Sequence, residues 1–317
     1  MNKMKSLMIA CLCSMLSITT VAQTFSLTPN WKTGDSASYS FEQKVTKKSG
    51  EEAYVETKSL NLDLKVVAKN SDGYIINATY HDLASDDEIQ QALYTATENF
   101  SFDYKVDNSG RIMGLADSAK AIQDAKLMVE QASKSNPILL FASQMMTDDM
   151  YLKGLLDEVA YIHSLNGYTL DFNKAVEYQS KKNTTYGFDV TASNFYTIES
   201  AKDNVINVKS TSETGNDILL PAFVEFSVEM AKGVMDGMSS LIESEEGSLD
   251  MEKMMEKQRL EIEKMMEGTD IKMTDSFNYS FDQSTQTLLF LVGTNTLIGR
   301  IGTDNVNTIT EITVKKK

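Results

Sequence analysis

The chain has 317 residues, with 45 acidic against 30 basic side chains for a formal net charge of −15, and only two cysteines. A surface this acidic repels phosphate backbones and anionic lipid headgroups, which argues against nucleic acid as a partner. Both cysteines, Cys11 and Cys13, fall in the first 22 residues, so a chain without that segment has no disulfide, thiol nucleophile, thiolate zinc site or iron–sulfur cluster.

That segment reads as an export signal. Lys3 and Lys5 precede an apolar run from Leu7 to Ile18, and Thr20-Val21-Ala22 place small residues ahead of Gln23, the pattern a signal peptidase cuts. Residues 1–22 are therefore expected to leave, with residues 23–317 as the exported domain, periplasmic or on the outer surface. A retained anchor needs about 20 apolar residues, and this run is shorter and broken by Ser14 and Ser17. A lipid-modified Cys11 or Cys13 would have too little apolar run ahead of it.

Alternation dominates the first third of the domain. Leu60, Leu62, Leu64 and Val66 alternate with polar residues, as in a strand with one dry face. Asn70-Ser71-Asp72-Gly73 supplies turn chemistry, and Tyr74, Ile76, Ala78 and Tyr80 continue as a second strand; an earlier one is expected around Tyr39–Val45. Ser85 and Glu88 form a capping box that predicts a helix to about Thr97. A hairpin then turns at Asp107-Asn108-Ser109-Gly110.

From Asp117 to Ser164 the period becomes helical. Ala119, Ile122, Ala125, Val129 and Ala132 share one stripe, Asn136-Pro137 reads as a helix start, and Leu152, Leu155, Leu156, Val159 and Ile162 repeat the stripe until Asn166-Gly167 stops it. Strand patterns return from Tyr168 to about Ser212. A second helical block is expected over 218–267, starting at Pro221, broken at Gly247-Ser248 and closed by Gly268. Four short strands are expected to finish the chain, with Leu288-Leu289-Phe290-Leu291-Val292 as a buried one. The fold class is α+β: antiparallel sheet with two segregated helical blocks packed on it.

Aromatic-small-Phe-acid recurs at Tyr39–Glu42, Phe100–Asp103, Tyr186–Asp189 and Tyr279–Asp282. This allows two similar halves, 24–166 and 168–317, although alternating aromatics are also ordinary strand composition.

Chemistry is sparse. The two histidines, His81 and His163, sit at element ends outside any metal motif, and a histidine at a helix C-terminus is favoured by the dipole alone. Nucleophile elbow, phosphate loop and dinucleotide fingerprint are all missing. Acids are plentiful enough for a carboxylate-pair glycan hydrolase, but Asp103 and Asp189 should point away from the face that carries Phe102 and Phe188. No catalytic residue, cofactor or metal is expected.

The unusual feature is methionine. Met251, Met254, Met255, Met265 and Met266, with Ile262, line one helix, and Met230, Met235 and Met238 the one before it. Three readings compete: a helix seam with a filled core, a groove for a lipid or other apolar ligand suited to flexible thioethers, and copper(I), which would need nearby histidines. If a ligand site exists, Met251, Met254, Met255, Ile262, Met265 and Met266 are its candidates.

Trp31-Lys32-Thr33-Gly34-Asp35 with Tyr39, and the Ala22-Gln23 signal end, resemble uncharacterised exported proteins of Bacteroidota. Asp35-Ser36-Ala37 and Asp117-Ser118-Ala119 resemble the O-glycosylation sequon of that phylum, although Asp117 also suits a helix cap. A sheet with helices laid on it is similar in layout to periplasmic lipoprotein carriers, and layout alone does not carry function. The reading is a non-enzymatic envelope protein that binds an apolar ligand or lipid in a sheet–helix cleft. The alternatives are a structural or protein-interaction module with a filled core and a carboxylate-based hydrolase.

Overall fold

The computed structural model describes residues 24–49, 52–134, 139, 147–184, 188–239, 256–257, 259–264, 266–301 and 304–317. The signal segment, Asn136-Pro137 and Gly247-Ser248 lie outside the described residues.

One antiparallel sheet of eleven strands organises the molecule. The first part of the chain contributes β2 (Ser36–Ser49), β3 (Glu52–Lys69), β4 (Gly73–Ser85), β5 (Ser101–Asp107) and β6 (Ile112–Leu115). The second contributes β8 (Val176–Asn183), β9 (Asp189–Lys202), β10 (Val205–Thr214), β11 (Asp270–Asp282), β12 (Leu288–Ile301) and β13 (Asp304–Lys316). Each part is a meander. They join because β13 pairs with β2, from Asn307 opposite Lys48 to Lys316 opposite Tyr39. The stretches 24–166 and 168–317 thus share one sheet, and the largest core draws on both. A separate ribbon pairs β1 (Thr24–Ser26) with β7 (Thr169–Asp171).

The helices are α1 (Glu88–Ala96), α2 (Ser118–Ser133), α3 (Asp148–His163) and α4 (Asn216–Ser239), with a further helical stretch at 259–264. α1 is capped by the Asp87 carboxylate, which accepts from the Gln90 N–H. Ser85, the expected cap, is still paired in β4 opposite Lys58, so the helix starts two residues later. Asp117 caps α2 as expected, but the buried stripe is Ala121, Ala125, Val129 and Ser133, and Ala119 is exposed. α4 begins at Asn216, ahead of Pro221. Pro221 falls in its second turn, where it forgoes the bond to the Asp217 carbonyl and its ring crowds that carbonyl.

Three long strands stand where four short ones are expected, because buried polar residues such as Asp275, Thr308 and Thr310 interrupt the apolar alternation of their inner face. Leu288–Val292 is not buried on both sides: Leu288 and Leu291 face the core, whereas Phe290 and Val292 are exposed. Asp103 does point outward, opposite to buried Phe102, whereas Asp189 at the start of β9 is exposed but turns to Lys153 of α3.

The sheet curves around α3. Lys153 in this helix pairs with Asp189 of β9 at 3.2 Å, Tyr161 packs on Phe41 of β2 and Phe277 of β11, and the hydroxyl of Tyr104 on β5 meets His163 at 2.8 Å. A flat sheet would separate β5 from β9 by eight strand spacings, about 38 Å, whereas α3 is only about 24 Å long. The strands therefore bend into a trough with α3 inside it.

One part-buried ion pair ties that helix to the trough wall. Lys58 of β3 meets Glu158 at 3.1 Å, and the Tyr80 hydroxyl donates to the other Glu158 oxygen at 3.1 Å. Burial lowers the Lys58 pKa, but Glu158 outweighs it and the net shift is upward. Glu158→Ala should cost about 3 kcal/mol in urea unfolding, because it leaves a desolvated ammonium behind. The double variant Lys58→Met, Glu158→Leu should recover most of that loss, and a single-variant cost below about 1 kcal/mol would mean that the pair does not anchor α3.

Candidate functional site

At the end of the trough where α3 stops, a cavity of about 310 Å³ opens between the helix and the sheet. Its apolar lining comes from Ala37 and Tyr39 on β2, Leu64 and Val66 on β3, Ile76 on β4, Leu288 on β12, Ile162 on α3 and Trp31 from the loop before β2. Alternation places these strand residues on the inner face. The rim is polar, with Asn30, Asp35, Thr285, Gln286, Thr287 and Lys316.

The loop that carries Trp31 is tied down on both sides. Gly34 donates to the Val66 carbonyl at 2.8 Å and Val66 donates back to Asp35 at 2.9 Å. The Asp35 carboxylate accepts from the Lys32 N–H at 2.8 Å, and Gly34 has φ +96°, a left-handed conformation that suits glycine. Thr28 N–H donates to Gln286 Oε1 at 2.7 Å, which fastens this loop to the β11–β12 turn. The Tyr39 hydroxyl donates to the Leu288 carbonyl at 3.2 Å, and burial pushes its pKa up.

His163 forms the inner corner. Its ring stands edge-on to Trp31 at 5.5 Å and 85°, and Trp31 stands edge-on to Tyr74 at 5.4 Å. Burial pushes the imidazole down to about 4, opposed by its bond to the Gly110 carbonyl. The neutral ring, which has one donor and one acceptor nitrogen, is held between polar partners: Nδ1 meets Gly110 O at 3.1 Å and Asn166 Nδ2 at 2.9 Å, Nε2 meets the Tyr104 hydroxyl at 2.8 Å, and Asn166 Nδ2 donates to the Gly110 carbonyl at 3.1 Å. The helix dipole therefore does not explain His163, because the ring carries no charge for it to act on. What places the histidine there is a buried hydrogen-bond network.

The other histidine, His81, lies outside this cavity, between Asp63 at 3.3 Å and Asp82 at 3.1 Å. Among the described residues no cluster of three histidine, cysteine or acidic side chains could hold a metal. No described helix is long and apolar enough to cross a membrane.

Of the residues singled out for ligand binding, only Ile262 and Met266 are described, and they lie elsewhere. Met251, Met254, Met255 and Met265 lie outside the described residues. Ile262 and Met266 are buried against Val224, with Leu220, Phe223 and Val228 of α4 and Ile301 of β12 packed around them. These two side chains form a filled seam, and neither lines the cavity. A broader groove of about 560 Å³ between α1 and α2 is lined largely by Ala92, Thr95, Ala96, Gln131 and Ala132, with Met128 and Leu139. It is shallow and open, so it desolvates a guest poorly.

Sequence reasoning also missed a buried polar hub on the inner face. The Asp275 carboxylate of β11 accepts from Lys182 Nζ of β8, from Asn295 Nδ2 of β12 and, at 2.7 Å, from Ser212 Oγ of β10. Burial lowers the Lys182 pKa against the pull of Asp275. The hub joins four strands and fills both oxygens of the carboxylate, so it works as a cross-strand tie.

No protein-family model matches the chain, and no curated protein matches it. Among solved structures the chain is similar to one titled "Lipid-protein interactions in lipovitellin", at TM-score 0.43 and 9% identity, an alignment that covers 91% of this chain and 25% of that one. The chain thus spans about a quarter of the length of that neighbour.

Two predictions follow from the geometry. Because the His163 pKa is lower in the folded state than the ordinary 6.5, its contribution is present above about pH 6.5 and is lost as pH falls towards 4, at most about 3 kcal/mol. Asp157, partly exposed yet pushed up to about 6 by desolvation and by Glu158, titrates in the same window with the opposite sign. Comparing wild type with His163→Phe cancels it, and unfolding at stepped pH should show a shallower slope for the variant; equal slopes would refute the neutral-histidine assignment. Separately, Ile262→Ala should lower stability by about 2 kcal/mol in urea unfolding, as expected for a packed seam and not for an open groove.

Proposed function

We propose that this chain is a non-enzymatic exported protein of the cell envelope that holds an apolar or amphiphilic ligand between its sheet and α3. The observation that carries this reading is the cavity beside Trp31: an apolar floor, a polar rim, and a volume of about 310 Å³. Small-molecule sites are concave, mostly apolar and fixed by a few polar groups, in a range of about 300–1,000 Å³. Export is supported by the basic start, apolar run and small-residue end of residues 1–22. The ligand reading thus rests on the Trp31 cavity and not on the methionine helix.

A second reading, a structural or protein-interaction module, is favoured by the filled seam at Ile262 and Met266. The two differ in what the cavity does.

Trp31 is the only tryptophan in the chain, so its fluorescence reports the cavity directly. Saturable quenching by a bromine-bearing alkyl chain is expected, with stabilisation of about 2.7 kcal/mol at about a hundredfold excess over Kd. Ala37→Leu, which fills the cavity, should abolish both effects. If alkyl chains neither quench Trp31 nor raise Tm, the module reading replaces this one.

A further inference from the structure

Asn166 sits in the wall of the Trp31 cavity, just past the end of α3, and is only 5% exposed. Its amide nitrogen is committed, donating to the Gly110 carbonyl at 3.1 Å and meeting His163 Nδ1 at 2.9 Å. Close packing holds it there: Gly110 has φ +86°, and a Cβ at that position would come within 2.8 Å of Asn166 Nδ2. The same neighbour disfavours the reversed amide, which would set two carbonyl oxygens 3.1 Å apart with no hydrogen between them.

The Asn166 oxygen is the group left over. Among the described residues nothing donates to it, yet it is not sealed in: the enclosed side-chain atoms without a partner are His81 Nε2, Thr214 Oγ1 and Asn307 Oδ1. It therefore borders open space, and the space that Asn166 lines is the cavity. The other polar groups of the buried wall are already paired. The Tyr39 hydroxyl donates to Leu288 O, and the His163 ring is held by Gly110, Asn166 and Tyr104. Water can meet a bare carbonyl oxygen, but a guest that displaces the water has to bring a donor of its own or lose affinity.

We infer that the occupant is a neutral, mostly apolar molecule that carries a hydroxyl or amide N–H, with that donor on Asn166 Oδ1 and its hydrocarbon against Leu64, Val66, Ile76 and Leu288. This rests on the ligand-binding reading above and adds the ligand class. Charge is not what the site selects, because the rim holds one acid and one base, Asp35 and Lys316. A carboxylate would turn its lone pairs towards the Asn166 oxygen. An ammonium would leave water for a wall whose buried side chains carry no charge.

The test is competition on the full chain at neutral pH against the bromine-bearing quencher, read from Trp31, with nonanol, its isomer methyl octyl ether, nonanoate and nonylammonium. The two isomers share their size and an acceptor oxygen and differ in the donor. Nonanol should compete about tenfold better than the ether, as expected for one buried hydrogen bond, although transfer out of water alone favours the ether. Asn166→Leu, which keeps the shape of the side chain and removes the oxygen, should bring that ratio to one or below. Equal or better competition by the ether on wild type overturns the donor, and this comparison decides even if the variant fails to fold. Better competition by nonanoate or nonylammonium than by nonanol overturns the neutral ligand, and a folded Asn166→Leu that keeps the tenfold ratio overturns the role of Asn166. If the quencher itself never reaches Trp31, it is the ligand-binding reading that fails, and this inference falls with it.

Discussion

The pairing of β13 with β2 is the constraint on which the rest depends. It brings the two ends of the described chain together near the middle of the sheet, with β3 on one side and β12 on the other. Without it there would be two separate meanders, each with an exposed edge and an open apolar face, a poor arrangement for strands. With it, Phe41, Ile312 and Val314 join one core together with residues from β3, β4, β10 and β11. The same pairing puts Tyr39 and Lys316 opposite each other, which sets one edge of the Trp31 cavity.

The trough then needs something to close on, and α3 supplies it with both kinds of contact. Val159 and Ile162 give apolar packing, while Glu158 and His163 place polar groups inside the trough and satisfy them from three strands and a turn. Buried polar groups cost free energy unless bonded, so these contacts fix how far along the trough the helix can sit. That register leaves the space beyond Ile162 open instead of filled.

Much of this was legible in the sequence, and the reasons are physical. Leu60 to Val66 and Tyr74 to Tyr80 alternate because one face of their strands is dry, and Asp117 and Gly167 mark helix ends through capping and a positive φ. What was not legible depends on partners far away in the chain. Glu158 and Asp275 look like solvated acids until Lys58 and Lys182 are brought beside them. The cavity is harder still, since residues 30–39, 64–66, 162–166, 285–288 and 316 meet only in three dimensions. In the sequence Trp31 belongs to a turn motif and Asn166 to a helix stop, 135 positions apart, and nothing local marks them as neighbours. The methionine repeat is conspicuous because it is local, and of its candidates only Ile262 and Met266 fall among the described residues.

Strand pairing between residues some 270 positions apart has a temporal side. Contacts this distant in sequence form late, since the entropy of closing the intervening loop must be met before they add stability. No fragment that stops short of β13 can have the Lys316 side of the opening, however well its first five strands associate. A partly assembled chain therefore lacks this opening, which comes into being only once β13 has docked.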